Sequence, residues 1–167
     1  MSSKSNFQKV QEFNKVFGVP RTNKLYKNVF DDDKKLVKLR LDLIKEEVGE
    51  LEEAIQNKDM KEVIDALSDI LYVVYGAGDS FGIDLDHTFD MVHSSNMSKS
   101  CNNEELAIKT VEDYQQKYDT GNSPYDSPAY RFDEESGLYI VYNKNTGKIL
   151  KSIEYNAVNF DSIVDGD

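Results

Sequence analysis

The chain has 167 residues, 31 of them acidic and 20 basic, for a net charge of −11. That length supports one domain with a real core and is short for two large ones. The acidity argues against binding a nucleic-acid backbone or an anionic membrane, since both call for basic surface. Hydrophobic residues make up 39% and charged residues 31% of the chain, which is globular composition. Cys101 is the only cysteine, so no intrachain disulfide can form and a reducing compartment fits. The opening MSSKSNFQKVQEF lacks an apolar run of signal-peptide length, and the apolar stretch 70–77 is too short to span a bilayer. The expectation is a cytoplasmic protein.

Over residues 5–17, Phe7, Val10, Phe13 and Phe17 recur near helical spacing, and Gly18 and Pro20 end the run. Residues 21–32 read as a connection, with Asp31, Asp32 and Asp33 suited to the positive start of the next helix. From 34 to 56 the pattern predicts a long amphipathic helix with Leu36, Leu39, Leu43, Val48, Leu51 and Ile55 in one stripe. After a polar turn at 56–58, Asp59 and Glu62 form a capping-box pattern. The helix that follows carries Ile64, Leu67, Leu71, Val74 and Phe81, with Gly76, Gly78 and Gly82 near its end. Asp84 caps a further helix to about Ser98, and another spans 103–118 with Leu106, Val111, Tyr114 and Tyr118.

Residues 120–128 then form a turn-rich linker. Leu138–Tyr142 is rich in β-formers, and 148–153 is expected to pair back on it across the loop at 143–147, as a hairpin. The last dozen residues read as a loose tail. The fold expectation is mainly α, an antiparallel helical bundle with a small C-terminal β-hairpin. Residues 1–119 form the helical catalytic domain, and 120–167 supply a linker, hairpin and tail of that same domain.

The chemistry lies in acidic residues at helical spacing. Glu46, Glu47, Glu50 and Glu53 fall on one predicted helix, and Glu62, Asp65 and Asp69 on the next. Spacings of three and four place each group on one face. In an antiparallel pair, Glu53 stands level with Glu62, Glu50 with Asp65, and Glu46 with Asp69. If both faces turn inward, carboxylates meet in layers roughly 5–6 Å apart along the axis. Such charges repel unless a cation intervenes, and hard divalent cations are the ions carboxylate oxygens bind. A bound cation also admits an anionic substrate to an acidic protein. Most acidic residues on amphipathic helices are solvated surface, so each carboxylate singly is weak evidence. The segment Ile70–Tyr75 leaves little polar room and is expected to be buried all round, at a bundle centre or dimer interface.

The runs EEVGE (46–50) and ALSDILYVVYGAG (66–78) resemble the all-α nucleoside triphosphate pyrophosphatases. That superfamily includes MazG-like proteins, phosphoribosyl-ATP pyrophosphohydrolases and dimeric dUTPases. HSSNMSK (93–99) and GKILKSIEY (147–155) resemble its phosphoribosyl-ATP pyrophosphohydrolase-like subgroup, and the likeness covers about residues 7 to 160. The family pattern is EExxE followed by ExxD. Glu46, Glu47 and Glu50 complete the first half. Glu62 and Asp65 formally give the second, yet Asp69 is the aspartate before the apolar run, with Ala66 three residues ahead of it. The resemblance implies Mg²⁺, with Mn²⁺ as a substitute, held by Glu47, Glu50 and Asp69 with Asp65 or Glu62. Glu46 would orient or deprotonate the attacking water. Hydrolysis would fall between the α and β phosphates of a nucleoside triphosphate such as dUTP, in nucleotide-pool housecleaning by a homodimer or homotetramer.

Asn96 and Lys99 share a helical face, and the resemblance suggests substrate contacts there; helix-end chemistry is the plainer reading. Lys148, Lys151 and Tyr155 are further phosphate or base candidates, with Arg131 behind them. Phe13, Asn14, Phe17 and Tyr72 are candidates for a base pocket. His87 and His93 lack partners at zinc spacing. GAGDSFG (76–82) follows a helix and lacks the GK[ST] ending of a phosphate loop. Phosphoribosyl-ATP hydrolysis in histidine biosynthesis, and a non-enzymatic helical interaction module, are the alternatives.

Overall fold

The computed structural model describes residues 4–166. It divides into two compact units: one runs to Phe89 and takes in the stretch from Phe160, and the other is Asp90–Asn159.

The first unit is helical. α1 (Asn6–Val16) opens with a capping box: Gln8 N–H donates to Ser5 Oγ and Ser5 N–H to Gln8 Oε1, each at 3.1 Å. α2 (Val29–Asp32) is one turn, and Asp33 then caps α3 (Lys34–Asn57) by accepting from Leu36 N–H at 2.9 Å. The turn to α4 (Met60–Phe81) is tight. Lys58 adopts φ 56°, Asp59 N–H donates to the Ala54 carbonyl at 3.0 Å, and Asp59 Oδ1 accepts from Lys61 and Glu62 N–H. Asp59 is thus the expected cap. Glu62 does not complete the box, because the Asp59 N–H it would receive is already bound by Ala54. The turn folds α4 back along α3, and α1 packs on α4.

Burial in this unit departs from the expected stripes. Phe7, Val10, Val29, Leu36, Ala54, Ala66 and Ala77 are the buried apolar side chains. Leu39, Val48, Ile55, Leu67 and Val74 are exposed, Ile64 is 62% exposed and Leu71 54%. The segment 70–75 is therefore not buried all round within one chain: Leu71, Tyr72 and Val74 face outward. α4 turns its small residues, Ala66 and Gly76 to Ser80, toward its neighbours, because close helix approach favours small side chains there. Its larger apolar row is left exposed among the described residues.

α5 (Leu85–Met97) begins after Asp84, whose Oδ1 accepts from His87 N–H at 3.1 Å, and runs across the boundary between the units. In the second unit, α6 (Glu104–Asp119) is capped by Asn103 and packs on an antiparallel hairpin of β1 (Pro128–Asp133) and β2 (Leu138–Asn143). Cys101, Leu106, Ala107, Val141 and Leu150 form its core. The hairpin is present, but Leu138–Asn143 is its second strand and pairs with 128–133, while the expected partner 148–153 makes only an isolated bridge to it at Ile149. The other edge of β2 is shared: Cys101 pairs with Tyr139 at one end, and Leu150 N–H bonds the Val141 carbonyl at the other. No full strand fits on an edge divided this way. The tail, expected to be loose, contains one helical turn, α7 (Asp161–Val164). No helix among the described residues is long and apolar enough to cross a membrane.

Candidate active site

The antiparallel α3–α4 pair brings the acidic residues of both helices together. Glu50, Glu53, Glu62 and Asp65 line one groove with Asn57 and Asp59, as the mirrored spacing requires. Glu47 sits at the next level. Its carboxyl is pushed above the ordinary carboxylate range, first by burial and then by Glu50, Asp69, Glu46 and Asp65. Five carboxylates thus share one field across two helices. None of them, nor Glu53 or Glu62, forms an ion pair with a described lysine or arginine.

The faces do not turn into a closed interior. Glu47 is half-buried and the other six carboxylates are exposed. Among the described residues no three such groups converge closely enough to hold an ion as they stand. Uncompensated like charges spread in this way. The donor set itself fits a hard divalent cation: oxygen ligands only, in excess, with no described lysine or arginine paired to them. Glu47, Glu50, Asp65 and Asp69 are the residues able to hold it, with Glu62 one turn from Asp65 along the groove.

The expected contacts Asn96, Lys99, Lys148, Lys151 and Tyr155 lie in the second unit, and the base-pocket candidates Phe13, Asn14, Phe17 and Tyr72 in the first. Lys99 Nζ donates to Asn96 Oδ1 at 2.7 Å, so these two do share a face. Lys148 lies over the Tyr125 ring at 5.1 Å and Lys151 over Tyr155 at 4.4 Å. Arg131 lies over Tyr142 at 6.0 Å. Each of these hairpin-region cations already has an aromatic partner.

The model of the phosphoribosyl-ATP pyrophosphohydrolase family matches residues 10–96 of the chain. The match spans α3 and α4 with every acidic residue considered above. This chain belongs to that family. It is also similar to an uncharacterized protein of Acanthamoeba polyphaga mimivirus, 31% identical over 96% of each chain. A pyrophosphohydrolase-type, nucleotide-related hydrolase is the general activity that family membership carries. Lys99, Lys148, Lys151 and Tyr155 lie beyond the matched segment.

Sequence reasoning named Asn14 but missed the polar cluster it joins at the C-terminal end of α4. Asp79 is 1% exposed and accepts from Gln11 Nε2 at 3.1 Å and Asn14 Nδ2 at 2.9 Å, with Arg21 Nε at 3.4 Å. Arg40 is also buried, and its guanidinium has no hydrogen-bond partner at Nε or Nη2. Burial lowers its pKa and Asp79 opposes that shift. Arg40 stands between Leu36 and Leu43 on the inward side of α3, and a charged residue inside an apolar stripe was the signal available for it. Asp79 carried no such signal, since it lies in the glycine-rich run set aside as a false phosphate loop.

Proposed function

We propose that this protein is a Mg²⁺-dependent nucleoside triphosphate pyrophosphatase, releasing pyrophosphate and a nucleoside monophosphate. The observation that carries the reading is the Glu47 carboxyl surrounded by Glu46, Glu50, Asp65 and Asp69 on the matched helices, with no ion pair to a described lysine or arginine. Glu47, Glu50 and Asp69, with Asp65 or Glu62, would hold the metal. Bound there, Mg²⁺ would supply Lewis-acid stabilisation of charge on the phosphate oxygens and acidify water. Glu46 is exposed beside these groups and can accept a proton from water or orient it. The reaction needs no side-chain nucleophile. The scissile α–β linkage, dUTP as an example substrate, the role in nucleotide-pool housecleaning and assembly as a homodimer or homotetramer belong to this proposal. So do a cytoplasmic location and the substrate contacts assigned to Asn96, Lys99, Lys148, Lys151 and Tyr155.

Phosphoribosyl-ATP is the second substrate reading, favoured by the name of the matched family. The test is pyrophosphate release from a panel of ribo- and deoxynucleoside triphosphates and phosphoribosyl-ATP, with Mg²⁺ and with chelator. Metal-dependent release that Glu47→Gln and Glu50→Gln reduce by a factor of 100 or more, at preserved fold, is the expected outcome. Absence of release from every compound by folded protein would remove the enzyme reading and favour an interaction module.

A further inference from the structure

In the second unit, two serine side chains fasten the end of α5 to the segment 152–156. Ser95 is 8% exposed, and its Oγ donates to the Asn156 carbonyl at 2.9 Å. A serine hydroxyl has one proton to give, so in the 3.1 Å contact between Ser95 Oγ and the Tyr155 hydroxyl it is Tyr155 that donates. Ser98 lies three residues on. Its Oγ accepts from Asn156 N–H at 3.0 Å and donates to the Ser95 carbonyl at 2.7 Å. Ser152 N–H donates to the Lys99 carbonyl at 3.0 Å, which sets the two backbones side by side.

This fastening brings two lysines onto neighbouring backbones, Lys99 at the end of α5 and Lys151 next to Ser152. Lys99 Nζ donates to Asn96 Oδ1 at 2.7 Å, and Lys151 Nζ lies over the Tyr155 ring at 4.4 Å. Both partners are neutral. Neither ammonium pairs with a described carboxylate, whereas Lys109 and Lys117 in the same unit pair with Glu105 and Asp113. In a chain of net charge −11, two cations have thus been placed together and left unbalanced. They repel each other as the carboxylates of the first unit do, and a bound anion relieves that repulsion. A lysine beside the last carbonyls of a helix accounts for Lys99. It does not account for Lys151, which stands outside any helix. Tyr155 links the serines to this pair: Ser95 holds its hydroxyl, and its ring carries Lys151.

We propose that Ser95 and Ser98 are positioning residues that hold Lys99 and Lys151 as a paired clamp for phosphate oxygens of the substrate. This rests on the triphosphatase reading and deepens it. An ammonium is a point charge with rotatable donors, suited to phosphate and indifferent to the base, so the clamp serves every triphosphate alike.

Two readouts on the full-length protein test it. One is the affinity for inorganic tripolyphosphate without metal, by calorimetry. The other is KM and kcat for the best-cleaved triphosphate with Mg²⁺. Lys99→Gln and Lys151→Gln are each expected to weaken tripolyphosphate about tenfold, the scale of one lost charge-assisted contact. Ser95→Ala and Ser98→Ala are expected to weaken it by about threefold or more and to raise KM by the same factor, with kcat within about twofold, because binding common to ground and transition states is lost. Ser98→Thr keeps the hydroxyl at a half-buried position and should behave as the unmodified protein does. In the Lys151→Gln background Ser95→Ala should add less than about twofold, since both changes remove one contact. Lys144→Gln removes an exposed charge outside the clamp and should leave the affinity within about twofold. Absence of tripolyphosphate binding, alanine variants that lower the melting temperature yet leave affinity and KM unmoved, a Ser98→Thr as weak as Ser98→Ala, or an equal loss from Lys144→Gln overturns the clamp. If no triphosphate is cleaved while tripolyphosphate binding follows this order, the triphosphatase reading fails and the clamp stands.

Discussion

Glu47 shows what an unneutralised carboxylate field costs. Its carboxyl sits above the ordinary range through burial and then through Glu50, Asp69, Glu46 and Asp65, so the folded chain holds this proton to higher pH than the unfolded chain does. The stability tied to the group is full below the ordinary carboxylate pKa and is lost as pH rises through the raised folded value. At neutral pH the metal-free site is thus destabilising. Glu47→Gln should raise the melting temperature of metal-free protein at neutral pH, with the gain vanishing on mild acidification. A lower melting temperature at neutral pH would contradict this. Asp79 is buried, accepts from Gln11 and Asn14 and pairs with Arg21, so Asp79→Ala leaves the buried Asn14 amide without its acceptor. The expected loss is about 1–3 kcal/mol in denaturant unfolding.

At the scale of elements, the end of α4 is set by Gly82, which takes φ 70° and lies against the chain near Lys24. A Cβ there would stand 2.0 Å from the Lys24 carbonyl oxygen. Gly82→Ala should cost about 1–3 kcal/mol from backbone strain alone, and more from the clash, read as a lowered denaturation midpoint. The outward row of α4, Ile64, Leu67, Leu71 and Val74, is exposed among the described residues. On the proposed homo-oligomer this row is the contact surface, because a contiguous apolar helix face is stable when another surface removes it from water. Leu67→Glu with Leu71→Glu should then yield monomer in sedimentation velocity. An unchanged sedimentation coefficient would place any self-association elsewhere.

For the whole molecule, the acidic site couples ligand to stability. A metal that binds the folded chain and not the unfolded one raises the melting temperature in proportion to its saturation. Mg²⁺ is expected to raise it, chelator to reverse the rise, and Na⁺ at matched ionic strength to leave most of it absent, since screening alone does not bridge carboxylates. Equal shifts from both salts would point to general screening of the −11 net charge.

The five longer helices, the α3 and α4 boundaries, the Asp59 and Asp84 caps and the mirrored register of Glu46–Glu53 against Glu62–Asp69 were legible along the chain. They depend on spacing, and helical spacing is a local property. Three things were not. The strand paired with Leu138–Asn143 depended on which segment reached a shared edge. The exposure of Leu71 and Ile64 depended on how much surface the neighbouring helices could cover. The cluster of Asp79, Asn14, Arg21 and Arg40 joins residues from three regions of the sequence, and nothing at any one of them announces the others. The sequence by itself determined which side chains share a helical face. Only the tertiary structure decided which faces meet, because that depends on the turn at Lys58–Asp59 and on the close packing of α1 and α3 against the small-residue side of α4.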